Sequence, residues 1–162
     1  GGLGTGADLA RALQMGAVGI QCGTAFLATE ESFAHPYHKD RVVQARAGDT
    51  VLTDVFVLNW PKGAAVRVLQ NSVTRALDGA YLGHDPDLLP REAIAWDNGQ
   101  PLLRFSTDSP MRGTTGDLEA MALYAGEGVT AIRSVVPAAE RLAEIVDGAR
   151  AILSSHREGA VS

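Results

Sequence analysis

Apolar positions recur at helical spacing near both ends of the chain and far less regularly between them. From Thr5 to Met15, Leu9, Ala12 and Leu13 share one face, Thr5 and Asp8 have capping-box spacing, and Gly16 can supply a left-handed stop. The spacing predicts a helix there. Next comes Ala17-Val18-Gly19-Ile20-Gln21-Cys22, almost continuously apolar, as expected of a strand buried on both faces of a parallel sheet. Gly23-Thr24 then turns the chain into a short helical stretch from Ala25 to Ala28.

His35-Pro36 opens a charged helix predicted to reach Ala47. "TVLTDVF" is β-branched and partly alternating, which predicts a strand, and residues 64–79 read as helical with a break near Asn71. The stretch 83–116 is rich in turn residues and resists periodic assignment. A helix is predicted from Asp117 to Tyr124, ending at "AGEG". The last helix starts at Pro137 and runs to Ser154, with Leu142, Ile145, Val146, Ala149, Ile152 and Leu153 on its apolar stripe. The tail "HREGAVS" is expected to fray.

Composition narrows the function classes. The 162 residues are 46% hydrophobic and 20% charged, an ordinary globular balance. A net charge of −5 gives no electrostatic reason to expect nucleic acid or an anionic membrane. Cys22 is the only cysteine, which excludes an intrachain disulfide and fits a reducing cytoplasm. No apolar run reaches the roughly 18 residues a membrane helix needs.

The chemistry lies in the glycine turns. "GGLGTG" places backbone N–H groups at a helix start, where peptide dipoles favour an anion and glycines allow close approach. Alone, such a motif is as well read as a plain tight turn. It is not a Walker loop, since no Lys-Ser/Thr follows. It is not a dinucleotide fingerprint either, since Gln21 and Cys22 stand about where an acidic residue, about 20 residues on, would be expected. "QCGT" adds a second turn, offering the N–H groups of Gly23 and Thr24 and the Thr24 hydroxyl. Two adjacent βα turns converging on one phosphate match the site after the last two strands of a (β/α)8 barrel.

The stretch "GGLGTGADLARALQMGAVGIQCGTAFLATEES", followed by "AHP", "TDVF", "NWPKGAAVRVLQN", "GDLEAMALYAGEG" and "VVPAAERLAEI", resembles the second half of the nitronate monooxygenase (2-nitropropane dioxygenase-like) family. The resemblance runs colinearly over nearly the whole chain. It implies an FMN-dependent α/β barrel that oxidises alkyl nitronates with O2. The chain would then be the C-terminal part of a TIM barrel with a small inserted α+β lid. Residues 1–34 would end strand seven and include strand eight. Residues 35–115 would form the substrate lid, 116–155 would return to the barrel, and 156–162 would be a flexible tail. The family's FMN-phosphate contacts carry over to Gly1, Gly2, Gln21, Cys22, Gly23 and Thr24. Glu127 stands where the family usually has Gln, and a carboxylate is an unfavourable neighbour for a phosphate. That argues against a cofactor role for residues 124–128.

A full barrel takes about 250 residues. The expectation is therefore a C-terminal fragment, inactive alone, whose general-base histidine lies upstream. No residue here is assigned as catalytic and none as a metal ligand. His35 and His38 read as capping or surface groups, His84 as a loop residue, His156 as part of the tail, and Cys22 as an inert small side chain. Trp60 and Trp96 read as small-domain core more than as pocket walls. The partners expected are a small nitronate or nitroalkane, O2, and either a second copy or the missing N-terminal half. Two alternatives stay open: a flavin-dependent enoyl-acyl-carrier-protein reductase, and a non-catalytic fragment acting only in association.

Overall fold

In the computed structural model, which describes residues 2–159, the capping logic of the first helix is realised in full. Helix α1 (Gly6–Gln14) starts on Thr5, whose hydroxyl oxygen accepts the Asp8 N–H at 3.1 Å, while the Asp8 carboxylate takes the Thr5 N–H at 3.1 Å. It stops at Met15, with Gly16 at φ +89°.

Helix α5 (Ala138–Gly159) packs on α1 at the distance of backbone contact. A Cβ at Gly6 would lie 2.7 Å from the main chain of Gly148 and Ala149. The buried stripe of α5 is Arg141, Ile145 and Ala149, whereas Leu142 is 54% exposed. The helix runs past the predicted end at Ser154 through Gly159. The last three residues of the expected tail, 160–162, lie outside the described residues.

Between these helices the chain is mixed α/β. Short helices α2 (Thr24–Leu27) and α3 (Pro36–Gln44) precede an antiparallel pair, β1 (Thr50–Thr53) and β2 (Val66–Leu69), in register Thr50↔Leu69 to Thr53↔Val66. After α4 (Ser72–Arg75) comes a second antiparallel sheet of β3 (Ala93–Asp97), β4 (Gln100–Leu103) and β5 (Thr115–Gly116), ordered β4-β3-β5. The β3–β4 hairpin turns on Asn98 and Gly99, both at positive φ (48° and 78°), which matches the twist of the flanking strands. Single 3₁₀ turns cover Leu118–Ala120 and Glu127–Ala131.

Two apolar clusters form the core. One holds Val51, Phe56, Val68, Ile94 and Met121 and the other Ala28, Val42, Leu69, Leu123 and Val129. Residues 120–125 contribute to both. Their backbone also joins β2: Leu69 N–H donates to the Leu123 carbonyl at 2.8 Å and Ala125 N–H to that of Arg67 at 3.2 Å.

Several expectations are corrected. Residues 17–22 form no strand, and Val18 is fully exposed. A strand of that composition needs neighbours on both edges, and none of the described strands pairs with it. Residues 66–69 are a strand, not the first half of a helix, because β1 supplies their hydrogen-bond partners. The break at Asn71 is real: its side chain caps α4 by accepting the Thr74 N–H at 3.1 Å. The stretch 117–124 holds only one 3₁₀ turn before joining the edge of β2. Trp60 and Trp96 are 50% and 46% exposed and form neither core cluster, whose largest buried side chains are Phe56, Leu69, Met121 and Leu123.

Candidate functional site

Three glycine-bearing segments far apart in sequence meet at one cavity of about 160 Å³, lined by Gly2, Leu3, Gly4, Gly23, Thr24, Ala25, Gly126 and Gly128. The closeness is possible because the side chains are missing. A Cβ on Gly128 would fall 2.9 Å from the Gly2 carbonyl oxygen, and one on Gly126 3.5 Å from Thr24 Oγ1. Gly2 itself sits at φ +78°, a conformation that favours glycine.

Thr24 is the polar centre of this cradle. Its Oγ1 accepts the Gly126 N–H at 2.9 Å, which leaves the hydroxyl proton free to donate to a ligand. The N–H groups of Thr24 and Ala25 belong to the first turn of α2 and have no partner within that helix. The α1 N-terminus is different, because it already holds an anion. The Asp8 carboxylate takes N–H groups from Gly4 and Thr5, both at 3.1 Å, and the Thr5 hydroxyl at 2.8 Å. Burial pushes the Asp8 carboxyl upward, but these hydrogen bonds and Arg11 outweigh it and hold it below its ordinary range.

Of the residues singled out in the sequence, Gly2, Gly23 and Thr24 come together. Gln21 is exposed, Cys22 is half-buried, and neither lines the cavity. Gly1 lies outside the described residues. Burial, then the Asp8 charge, pushes the Cys22 thiol upward, which disfavours the nucleophilic thiolate.

Gly126 and Gly128 are the lining residues that the sequence argument set aside on account of Glu127. The carboxylate between them is turned away: its Oε1 lies 3.0 Å from a guanidinium nitrogen of Arg67. Both side chains line a neighbouring cavity of about 280 Å³ with Arg46, Thr50 and Thr130. The visible signal was the "GEG" turn itself; the compensating cation came from 60 residues earlier.

The histidines divide by environment. His35 caps α3, its Nδ1 accepting the Tyr37 N–H at 3.0 Å. His38 is not a surface group but fully buried, with Nε2 3.0 Å from the Tyr124 carbonyl oxygen. Its helix places it inward between α3 and the 121–125 segment. His84 Nδ1 meets the buried Asp54 carboxylate at 2.7 Å, and the same carboxylate accepts the Gly83 and His84 N–H groups. A further polar cavity of about 310 Å³ is lined by Arg41, Gln44, Asp49, Gln70 and Arg75, but its guanidiniums are engaged by Glu119, Tyr37 and the Gln70 carbonyl. Among the described residues no group of three or more His, Cys, Asp or Glu could hold a metal, and no helix is long and apolar enough to cross a membrane.

The chain is similar to known proteins along most of its length. The family model described as nitronate monooxygenase matches residues 1–148. Nitronate monooxygenase npaC of Metarhizium robertsii is 32% identical over 96% of this chain and 42% of its own length. The nitronate monooxygenase of Pseudomonas aeruginosa is 31% identical over 93% and 38%. The chain thus spans less than half the length of these relatives. Among solved structures, nitroalkane oxidase from Streptomyces ansochromogenes aligns with TM-score 0.63 at 29% identity, covering 94% of this chain and 39% of that one. FabK from Thermotoga maritima aligns with TM-score 0.64 at 22% identity over 98% and 45%, a likeness of fold alone.

Proposed function

This chain belongs to the nitronate monooxygenase family, and on that premise we propose that it supplies the phosphate anchor and pocket lid of an FMN-dependent oxidoreductase acting on alkyl nitronates. The observation that carries this reading is the convergence of Gly2, Gly23, Thr24, Gly126 and Gly128 on one cavity with a free hydroxyl donor and open backbone N–H groups. Such a cradle suits a phosphate ester, which needs donors at close range and no Cβ in the way.

Size supports an anchor and not a whole-ligand site. The cavity of about 160 Å³ is smaller than the ~300 Å³ at which pockets for complete ligands begin. The flavin ring would be held by barrel strands beyond these 162 residues, and the exposed apolar run 17–22 would become strand eight when they pair with it. In this reading the general base also comes from that part of the barrel, so the chain alone is inactive. Residues 35–115, with their two small sheets, would shape the substrate side. When bound, FMN supplies the redox chemistry, while the protein's share is binding, orientation and electrostatics.

The test is FMN binding by the native protein, with the barrel strands beyond these 162 residues included, and by its Gly128→Ala variant, followed by oxygen uptake with an alkyl nitronate. We expect yellow, FMN-loaded protein that consumes O2, and loss of FMN on adding the Cβ that collides with Gly2. FMN retained at full affinity by Gly128→Ala would overturn the anchor. An enoyl-thioester reduced with a nicotinamide donor, with no nitronate turnover, would move the chain to the reductase alternative.

A further inference from the structure

We propose that Arg67 is a positioning residue for the cofactor phosphate, acting by turning and neutralising the Glu127 carboxylate beside the anchor cavity. This inference rests on the phosphate reading above. Glu127 is the one acidic residue between two cavity-lining glycines, and its Cβ is 4.0 Å from the position a Gly2 Cβ would take. A carboxylate free to swing there would repel a phosphate dianion across a short, partly desolvated gap.

An ion pair opposes that swing. Arg67 lies on β2, and its carbonyl accepts the Ala125 N–H at 3.2 Å, so the backbone two residues before Glu127 is held beside this strand. The guanidinium therefore arrives beside Glu127 and closes on Oε1 at 3.0 Å, with a second nitrogen 3.4 Å from Thr50 Oγ1. Both charged groups then line the adjacent cavity and not the glycine one. Arg46 lines that same cavity and adds positive charge to it. Arg67 is about one-third exposed and Glu127 is mostly exposed, so the compensation should weaken with salt.

The experiment compares affinities of the native protein for FMN and for riboflavin, which lacks the phosphate, by flavin fluorescence at low and high salt. Arg67→Gln should weaken FMN by about tenfold at low salt and leave riboflavin unchanged. Adding Glu127→Gln should restore FMN affinity, and Arg67→Lys should retain most of it. Equal weakening of both flavins, or no rescue by Glu127→Gln, would make Arg67 merely structural and overturn the proposal. A wild-type protein with no preference for FMN over riboflavin would remove the phosphate site itself, and this inference with it. A preference for FMN that Arg67→Gln leaves intact would overturn this inference alone.

Discussion

His38, fully buried on α3, meets the main-chain carbonyl of Tyr124 through Nε2 at 3.0 Å. A carbonyl only accepts, so Nε2 carries the proton and Nδ1 is left to accept from Ser109 Oγ at 3.2 Å. Burial, reinforced by Arg41 and opposed by the Tyr124 carbonyl, pulls the imidazole pKa down from 6.5 to about 4. The unfolded chain therefore takes up a proton between those values that the folded one refuses. The His38 contribution to stability should fall as pH drops from 6.5 towards 4 and level off below that, by on the order of 3 kcal/mol in all. Urea unfolding across that range checks it, and His38→Gln should flatten the dependence.

The Gly6–Gly148 crossing makes an asymmetric prediction. A Cβ at Gly6 would sit 2.7 Å from backbone atoms that cannot yield, whereas one at Gly148 would meet Gly6 Cα at 3.3 Å. Gly6→Ala should force α1 and α5 apart and cost about 1–3 kcal/mol, more than Gly148→Ala. Thermal unfolding of the two variants gives the order directly.

Asn71 holds two jobs in one buried side chain. Its Oδ1 caps α4, and its Nδ2 donates to the Met121 carbonyl at 2.8 Å. Loss of a cap alone costs about 1 kcal/mol. Asn71→Ala should exceed that by ~1–2 kcal/mol, because the Met121 carbonyl also loses its partner. Asn71→Asp keeps the cap but sets an oxygen against that carbonyl, so it should rescue little. Chemical denaturation of the pair measures the difference.

At the anchor, Thr24→Ser should preserve FMN affinity, since the oxygen accepting the Gly126 N–H and the free hydroxyl proton both remain. Thr24→Val removes both and should weaken binding by at least about tenfold, corresponding to the ~1.5–3 kcal/mol of a hydrogen bond to a charged group. Titration of apoprotein with FMN decides it.

The pattern of success in reading the sequence is physical. Elements specified by neighbours in the chain were legible: the Thr5–Asp8 cap, the Gly16 stop, the His35-Pro36 helix start and the Asn71 break. Elements specified by partners far away were not. Val66 and Val68 become strand because β1 lies beside them, and residues 17–22 stay unpaired because no described strand does. The Asn98-Gly99 hairpin carried its own signal, hidden among turn residues and by Pro101 in β4. Half of the candidate site was likewise visible. Gly2, Gly23 and Thr24 follow from local turn chemistry, but Gly126 and Gly128 join them across about 100 residues, and the cation that makes Glu127 tolerable comes from another strand.

The shared segment 120–125 bears on how the molecule comes apart. Ala120, Met121, Ala122 and Tyr124 pack in one apolar cluster and Leu123 and Ala125 in the other, while the backbone is stitched to β2. Neither cluster can be exposed while that seam is closed. The amide hydrogens of Leu69 and Ala125, which bond across it in opposite directions, should therefore trade with deuterium through one common opening, at the same free energy and among the slowest in the protein.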